Sequence, residues 1–135
     1  MLLELAVLSG TIPGGPPAPF NIYDGRVNTA VVAPRIAGRA TIDGVLDEAA
    51  WAEAAILTGF SHYQPIDGVD AADSTEVLVW YNERELYFGV RAFEPHGVVN
   101  ATRADRDRID TDDNVRILLD TFNDRRRALA FGVNP

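Results

Sequence analysis

Five aspartates fall within nine residues in "DRDRIDTDD", residues 105–113. Asp105, Asp107, Asp110, Asp112 and Asp113 are hard oxygen donors, the kind that Ca²⁺ gathers from several carboxylates and carbonyls. The stretch lacks the sixth-position glycine and the closing glutamate of an EF-hand loop. Arg103, Arg106 and Arg108 are interleaved and offset much of the field, so a solvated loop of alternating charge competes with the calcium reading. Other chemistry is thinner. His62 and His96 lie in turn-rich stretches without metal-ligand spacing. With three serines, no nucleophile, base and orienting group can be read together. Carboxylates abound, but abundance does not set two of them at the separation a glycosidase needs.

Composition narrows the partners. The 135 residues carry 47% hydrophobic and 24% charged side chains, which is ordinary for one globular domain. The formal net charge is −8, and all 12 basic residues are arginine. That balance argues against nucleic acid or an anionic membrane as partner, since both select clustered positive charge. Arg125-Arg126-Arg127 is too short a run to reverse it. Cysteine is absent, which excludes disulfides and thiolate metal sites. No apolar run is long enough for a transmembrane helix.

Residues 1–33 read as a flexible leader rich in Gly and Pro. "MLLELAVLSG" is short and apolar like a signal core, yet it carries Glu4, starts without a basic residue and is not followed by an A-x-A site. A degraded signal and an unstructured leader both remain open. Residues 34–135 form the folded part.

Elements follow from pattern. Asp43-Gly44 predicts a turn. Asp47 is placed to cap a short helix running to about Ala55. Ser61 to Ser74 is loop chemistry, and strands are expected over 75–82, 85–93, 113–122 and 127–134. Around "NERE", side-chain parity pairs Tyr81 with Leu86, Val79 with Phe88 and Val77 with Val90 as a core face. The opposite face then carries Trp80 with Tyr87, Leu78 with Gly89 and Glu76 with Arg91. In the second hairpin, Val115, Ile117 and Leu119 oppose Val133, Phe131 and Leu129, closing on a three-residue loop at Asn123-Asp124-Arg125. Its other face carries Arg116 opposite Gly132 and Leu118 opposite Ala130, with Asp120 opposite Ala128. The expected fold class is all-β, an antiparallel sandwich with a short N-terminal helix. Trp51, Val77, Val79, Phe88, Val90, Ile117, Leu119 and Phe131 should be buried together.

Three stretches carry a resemblance: "IDGVLDEAAW", "TEVLVWYNERELYFGVRAFE" and "DDNVRILLDTFNDRRRALAFGVNP". In this order and spacing, from about Pro34 to Pro135, the chain resembles a family 9 carbohydrate-binding module. The closer likeness is to the version at the N-terminus of large bacterial proteins associated with the outer membrane. The resemblance implies a β-sandwich continuing past "FGVNP", with Trp51 closing one end of the core. It also implies a periplasmic or outer-membrane-associated protein, with a downstream domain as partner and a role in carbohydrate breakdown. In glycan-binding members a tryptophan stands at the position matching Asp110, a carboxylate at Arg116 and an arginine at Gly132. This chain departs at all three.

Sugar binding would therefore need other groups. Trp80 with Tyr87 beside Gly89 is the available platform, and Arg91, Arg116 and Asp120 could bond hydroxyls, with Asp110 at the rim. Burial of those aromatics beneath other strands is the alternative. A non-catalytic carbohydrate-binding domain leads the functional readings. A structural or interaction domain that has lost the sugar site comes next, the front end of an outer-membrane-associated protein with its activity downstream is third, and part of a glycoside hydrolase is the remote fourth.

Overall fold

The computed structural model describes residues 22–23, 30–62, 68–95, 97–100 and 112–135. The fold is all-β, as the patterning predicts. Its centre is a four-stranded sheet in the order β1 (Ile22–Tyr23), β2 (Ala55–Leu57), β5 (Thr75–Tyr81), β6 (Leu86–Ala92). β1 pairs parallel to β2, and the other two pairings are antiparallel. A short arm pairs β3 (Ser61–His62) with β4 (Val69–Asp70), and β7 (Val115–Leu119) pairs with β8 (Leu129–Val133) as a separate ladder.

Both hairpin registers are those derived from parity. Tyr81 faces Leu86, Val79 faces Phe88 and Val77 faces Val90, while Glu76 faces Arg91 with a 2.8 Å ion pair. In β7–β8, Ile117 faces Phe131 and Arg116 faces Gly132. Asn82 sets the first turn: its side-chain oxygen accepts from the backbone N–H of Arg84 and of Glu85, each at 2.8 Å. Its amide donates to the Gly38 carbonyl at 2.8 Å, tying the turn to the segment beside β5.

The core differs from the expected one because the central sheet is covered on both faces. One face buries Leu57, Val77 and Val79, with Val31, Ala33, Phe60, Phe88 and Val90 packed around them. The other buries Trp51, Ala54, Leu78, Trp80 and Tyr87, flanked by Ile36, Ala40, Leu46 and Ala50. Trp51 is 5% exposed, so it plugs a core, but on the face opposite Val77. The uninterrupted apolar run of β5 suits a strand with two buried faces. Ile117, Leu119 and Phe131 do not join either cluster, and Phe131 is 52% exposed. Tyr81 and Leu86, at the turn end of the hairpin, are exposed as well.

Four local expectations are also corrected. The helix is a 3₁₀ turn, Ala49–Glu53, with Glu48 rather than Asp47 at its N-cap and no side-chain cap bond. Residues 55–57 leave it directly as β2, which alanine-rich sequence disguises. The stretch read as pure loop contains β3 and β4. The β7–β8 ladder ends at Leu119–Leu129, earlier than a three-residue loop requires. Asp120 and Asp124 take over there, their carboxylates accepting backbone N–H groups along the connection.

Gly89 explains how the tryptophan fits. A Cβ there would come within 2.8 Å of Leu46 Cδ1 and 3.0 Å of the Trp51 ring. Gly89→Ala should therefore destabilise by about 1–3 kcal/mol through overpacking. Trp51→Ala should cost about 3–5 kcal/mol through the cavity left behind. Denaturant titration of the three proteins checks both, and an unaltered midpoint for either variant would contradict this packing.

Candidate functional site

Trp80 and Tyr87 are cross-strand neighbours whose rings stack at 4.0 Å with 12° between planes. Trp51 meets both edge-on, at 5.8 Å and 84° to Trp80 and at 6.5 Å and 86° to Tyr87. Edge-to-face geometry brings the positive ring edge to a negative ring face. Small residues make the approach possible: Ala50 and Ala54 on the tryptophan-bearing segment, Gly89 on the sheet.

The expected sugar platform is thereby corrected. Trp80 is 0% exposed and Tyr87 is buried, so neither offers a ring face to a ligand. The indole N–H of Trp80 finds no acceptor among the described residues. Leaving it unpaired costs about 1–3 kcal/mol, which burial of so large a ring outweighs.

Glu48 organises this region. One carboxylate oxygen accepts from the Trp51 indole N–H at 2.9 Å, and the other from the backbone N–H of Thr41 at 2.6 Å. A parallel arrangement stands at the other end of the cluster, where the Tyr87 hydroxyl donates to Glu85 Oε2 at 2.6 Å. The Thr41 N–H, then Glu48's own backbone N–H and then the indole hold the Glu48 carboxyl below the usual carboxylate range. The bond from Tyr87 does the same for Glu85 and raises the Tyr87 phenol in turn. Sequence reading missed Glu48 and Glu85; the signal was a carboxylate three residues before Trp51 and another two before Tyr87.

The remaining candidates are spread out. Arg91 is engaged by Glu76. Asp120 holds its own loop, accepting from the N–H groups of Phe122 at 3.2 Å, Asp124 at 3.3 Å and Arg125 at 2.7 Å. Arg116 lies opposite Gly132 on β7–β8, a ladder that shares no strand pairing with Trp80 and Tyr87. Asp105, Asp107 and Asp110 lie outside the described residues, as does His96. Of the other two calcium candidates, Asp113 accepts the Asn100 N–H at 2.9 Å, and the Asp112 carbonyl accepts from Asn114. Among the described residues no three potential metal ligands converge. His62 sits on β3 opposite Val69.

Two open clefts flank the central sheet. One, about 570 Å³, runs between residues 35–39 and the Asn82–Glu85 turn. Ion pairs cross it from Arg35 to Glu83 at 2.7 Å and from Arg39 to Glu85 at 3.7 Å. The other, about 590 Å³, lies at the opposite end of the sheet and combines Phe60 and Phe93 with Asp70, Asp73 and Glu76. No family model matches the chain, and neither a curated protein nor a solved structure matches it.

The Glu48 clasp has a pH dependence of definite sign. A carboxylate whose folded-state pKa is depressed contributes stability above its unfolded pKa and loses it as pH falls through the folded one. Stability should therefore drop on acidification through and below the usual carboxylate range. Glu48→Gln should flatten that acid limb, because the amide has no titrating charge. Thermal unfolding of both proteins from neutral to acidic pH measures it, and identical acid limbs would exclude Glu48 as a contributor.

Proposed function

We propose that this chain is a non-catalytic, carbohydrate-binding-module-like domain of an exported protein of the bacterial cell envelope, serving carbohydrate breakdown. In this reading the periplasm or the outer membrane is its location. A domain further along the same protein is its partner and the place for any glycosidic-bond hydrolysis. The observation that supports the reading is the pairing of Arg116 with Gly132 in β7–β8. These are the positions where the resembled family holds its hydroxyl-binding groups, and here they sit opposite each other on one hairpin. The glycan site of this proposal is that face, with the Asp120 loop at one end. With Trp80 and Tyr87 buried, neither ring stacks there, so affinity should be weak, about millimolar to high micromolar.

Burial of the aromatic pair favours a second reading, a structural or interaction domain that keeps the fold without a sugar site. The apolar side of β8 suits it, since Leu129, Phe131 and Val133 are each more than half exposed.

Calorimetric titration of the chain with neutral mono- and oligosaccharides separates the two. The carbohydrate reading expects weak heat that Arg116→Ala removes while the fold persists. No heat with any sugar would reject it in favour of the interaction domain.

A further inference from the structure

The cleft at the end of the central sheet farthest from the Asn82–Glu85 turn has a distinctive lining. β5 begins there and β6 ends there, the two held one bond further by the Phe93 N–H donating to the Ser74 carbonyl at 2.9 Å. The β3–β4 arm forms the other wall, joined by the Ala71 N–H donating to the Phe60 carbonyl at 3.1 Å. Phe93 is 54% exposed, an aromatic ring that neither apolar cluster claims. Asp73 is half-buried and has no side-chain partner among the described residues. Asp70 and Glu76 also line it, each with an interaction of its own, Glu76 with Arg91. Among the described residues no basic side chain lines the cleft.

Charge complementarity narrows the ligand. A neutral ligand seated here would take Asp73 further from water with no counter-charge among the described residues, and an acidic one would be repelled. A metal ion finds no three converging donors among the described residues. What fits is a cation with an apolar ring face: an ammonium group to meet Asp73, and C–H surface to lie on Phe93. Resting on the carbohydrate-binding reading, we propose that this cleft binds glycans bearing free amino groups, at a site separate from the Arg116 face of β7–β8. Deacetylated amino-sugar oligomers are the ligand class. Their rings supply the apolar face, and their hydroxyls can meet the polar backbone around Ser74.

The test titrates the chain with fully deacetylated glucosamine oligomers, their N-acetylated counterparts, neutral glucose oligomers and a lysine-rich peptide of matched charge. Asp73→Asn, Phe93→Ala and Arg116→Ala are titrated alongside. The first two alter side chains outside both apolar clusters, and circular dichroism verifies their folds. The deacetylated oligomers should bind better than either uncharged series. Asp73→Asn and Phe93→Ala should each weaken them by about tenfold or more, the scale of a charge-assisted contact. Arg116→Ala should remove the binding of the neutral oligomers and keep the excess that the deacetylated ones show. Equal binding by both cleft variants would overturn the inference, because only general attraction to the acidic chain would remain. Tighter binding of the peptide with the same variant dependence would also overturn it and assign the cleft to basic polypeptide. Neutral oligomers binding through Arg116 while deacetylated ones show no preference would sink this cleft and leave the carbohydrate reading standing. No binding of any sugar would end both.

Discussion

The structure depends on one insertion. Trp51 lies over Gly89 and against the edges of Trp80 and Tyr87, its indole N–H held by Glu48. A tryptophan removes about 150–250 Å² from water, so full burial contributes up to about 4–6 kcal/mol on area grounds. The exposed ion pairs at Arg35–Glu83 and Arg127–Asp124 contribute at most about 1 kcal/mol each. The insertion therefore decides how the 3₁₀ turn, β2 and the β5–β6 hairpin come together. A single five-residue turn has little stability of its own. The tryptophan it carries holds it in place, and Glu48 ties the preceding loop to it through Thr41.

That commitment limits what the molecule can bind. Both tryptophans and the best-placed tyrosine are spent on packing, so a flat stacking platform does not survive on the central sheet. Among the described residues the exposed rings are Tyr81 at the turn end of β5, Phe93 at the acidic cleft, Phe131 on β8, and Phe122 on the connection, where the Arg127 guanidinium sits 4.8 Å from its centroid. Hydrogen-bonding side chains are plentiful as arginines and carboxylates, though many hold their own loops. Asp120 and Asn82 spend their side-chain oxygens on backbone N–H groups, and Asp124 divides its own between backbone N–H groups and the Arg127 guanidinium. Polar side chains on this fold shape turns first and are available to ligands second.

Much of this was legible in the sequence. The hairpin registers followed from period-two patterning, pinned in β5–β6 by the Glu76–Arg91 pair, since a one-residue slip would put every side chain on the wrong face. Trp51 as a plug followed from alanine neighbours and the rarity of exposed tryptophan. What parity could not supply was which face is covered. Val77 to Tyr81 is apolar throughout, and such a run marks a strand buried on both sides. Assigning it one core face made Trp80 look available. β2 was hidden because "AAIL" continues an alanine-rich segment whose local preference is helical, and strand pairing with β5 overrides that preference. Glu48 was hidden because its partners, an indole and a backbone N–H seven residues back, meet only once the loop folds.

The central claim, that Trp51 and Trp80 form one dry aromatic cluster, is tested most directly by tryptophan fluorescence with acrylamide quenching. The chain contains only these two tryptophans, so the signal reports on nothing else. The account predicts blue-shifted emission that resists quenching in the native protein, with both features lost together on unfolding. Red-shifted emission readily quenched in the folded chain would contradict it, returning Trp80 to the surface and to the reach of a ligand.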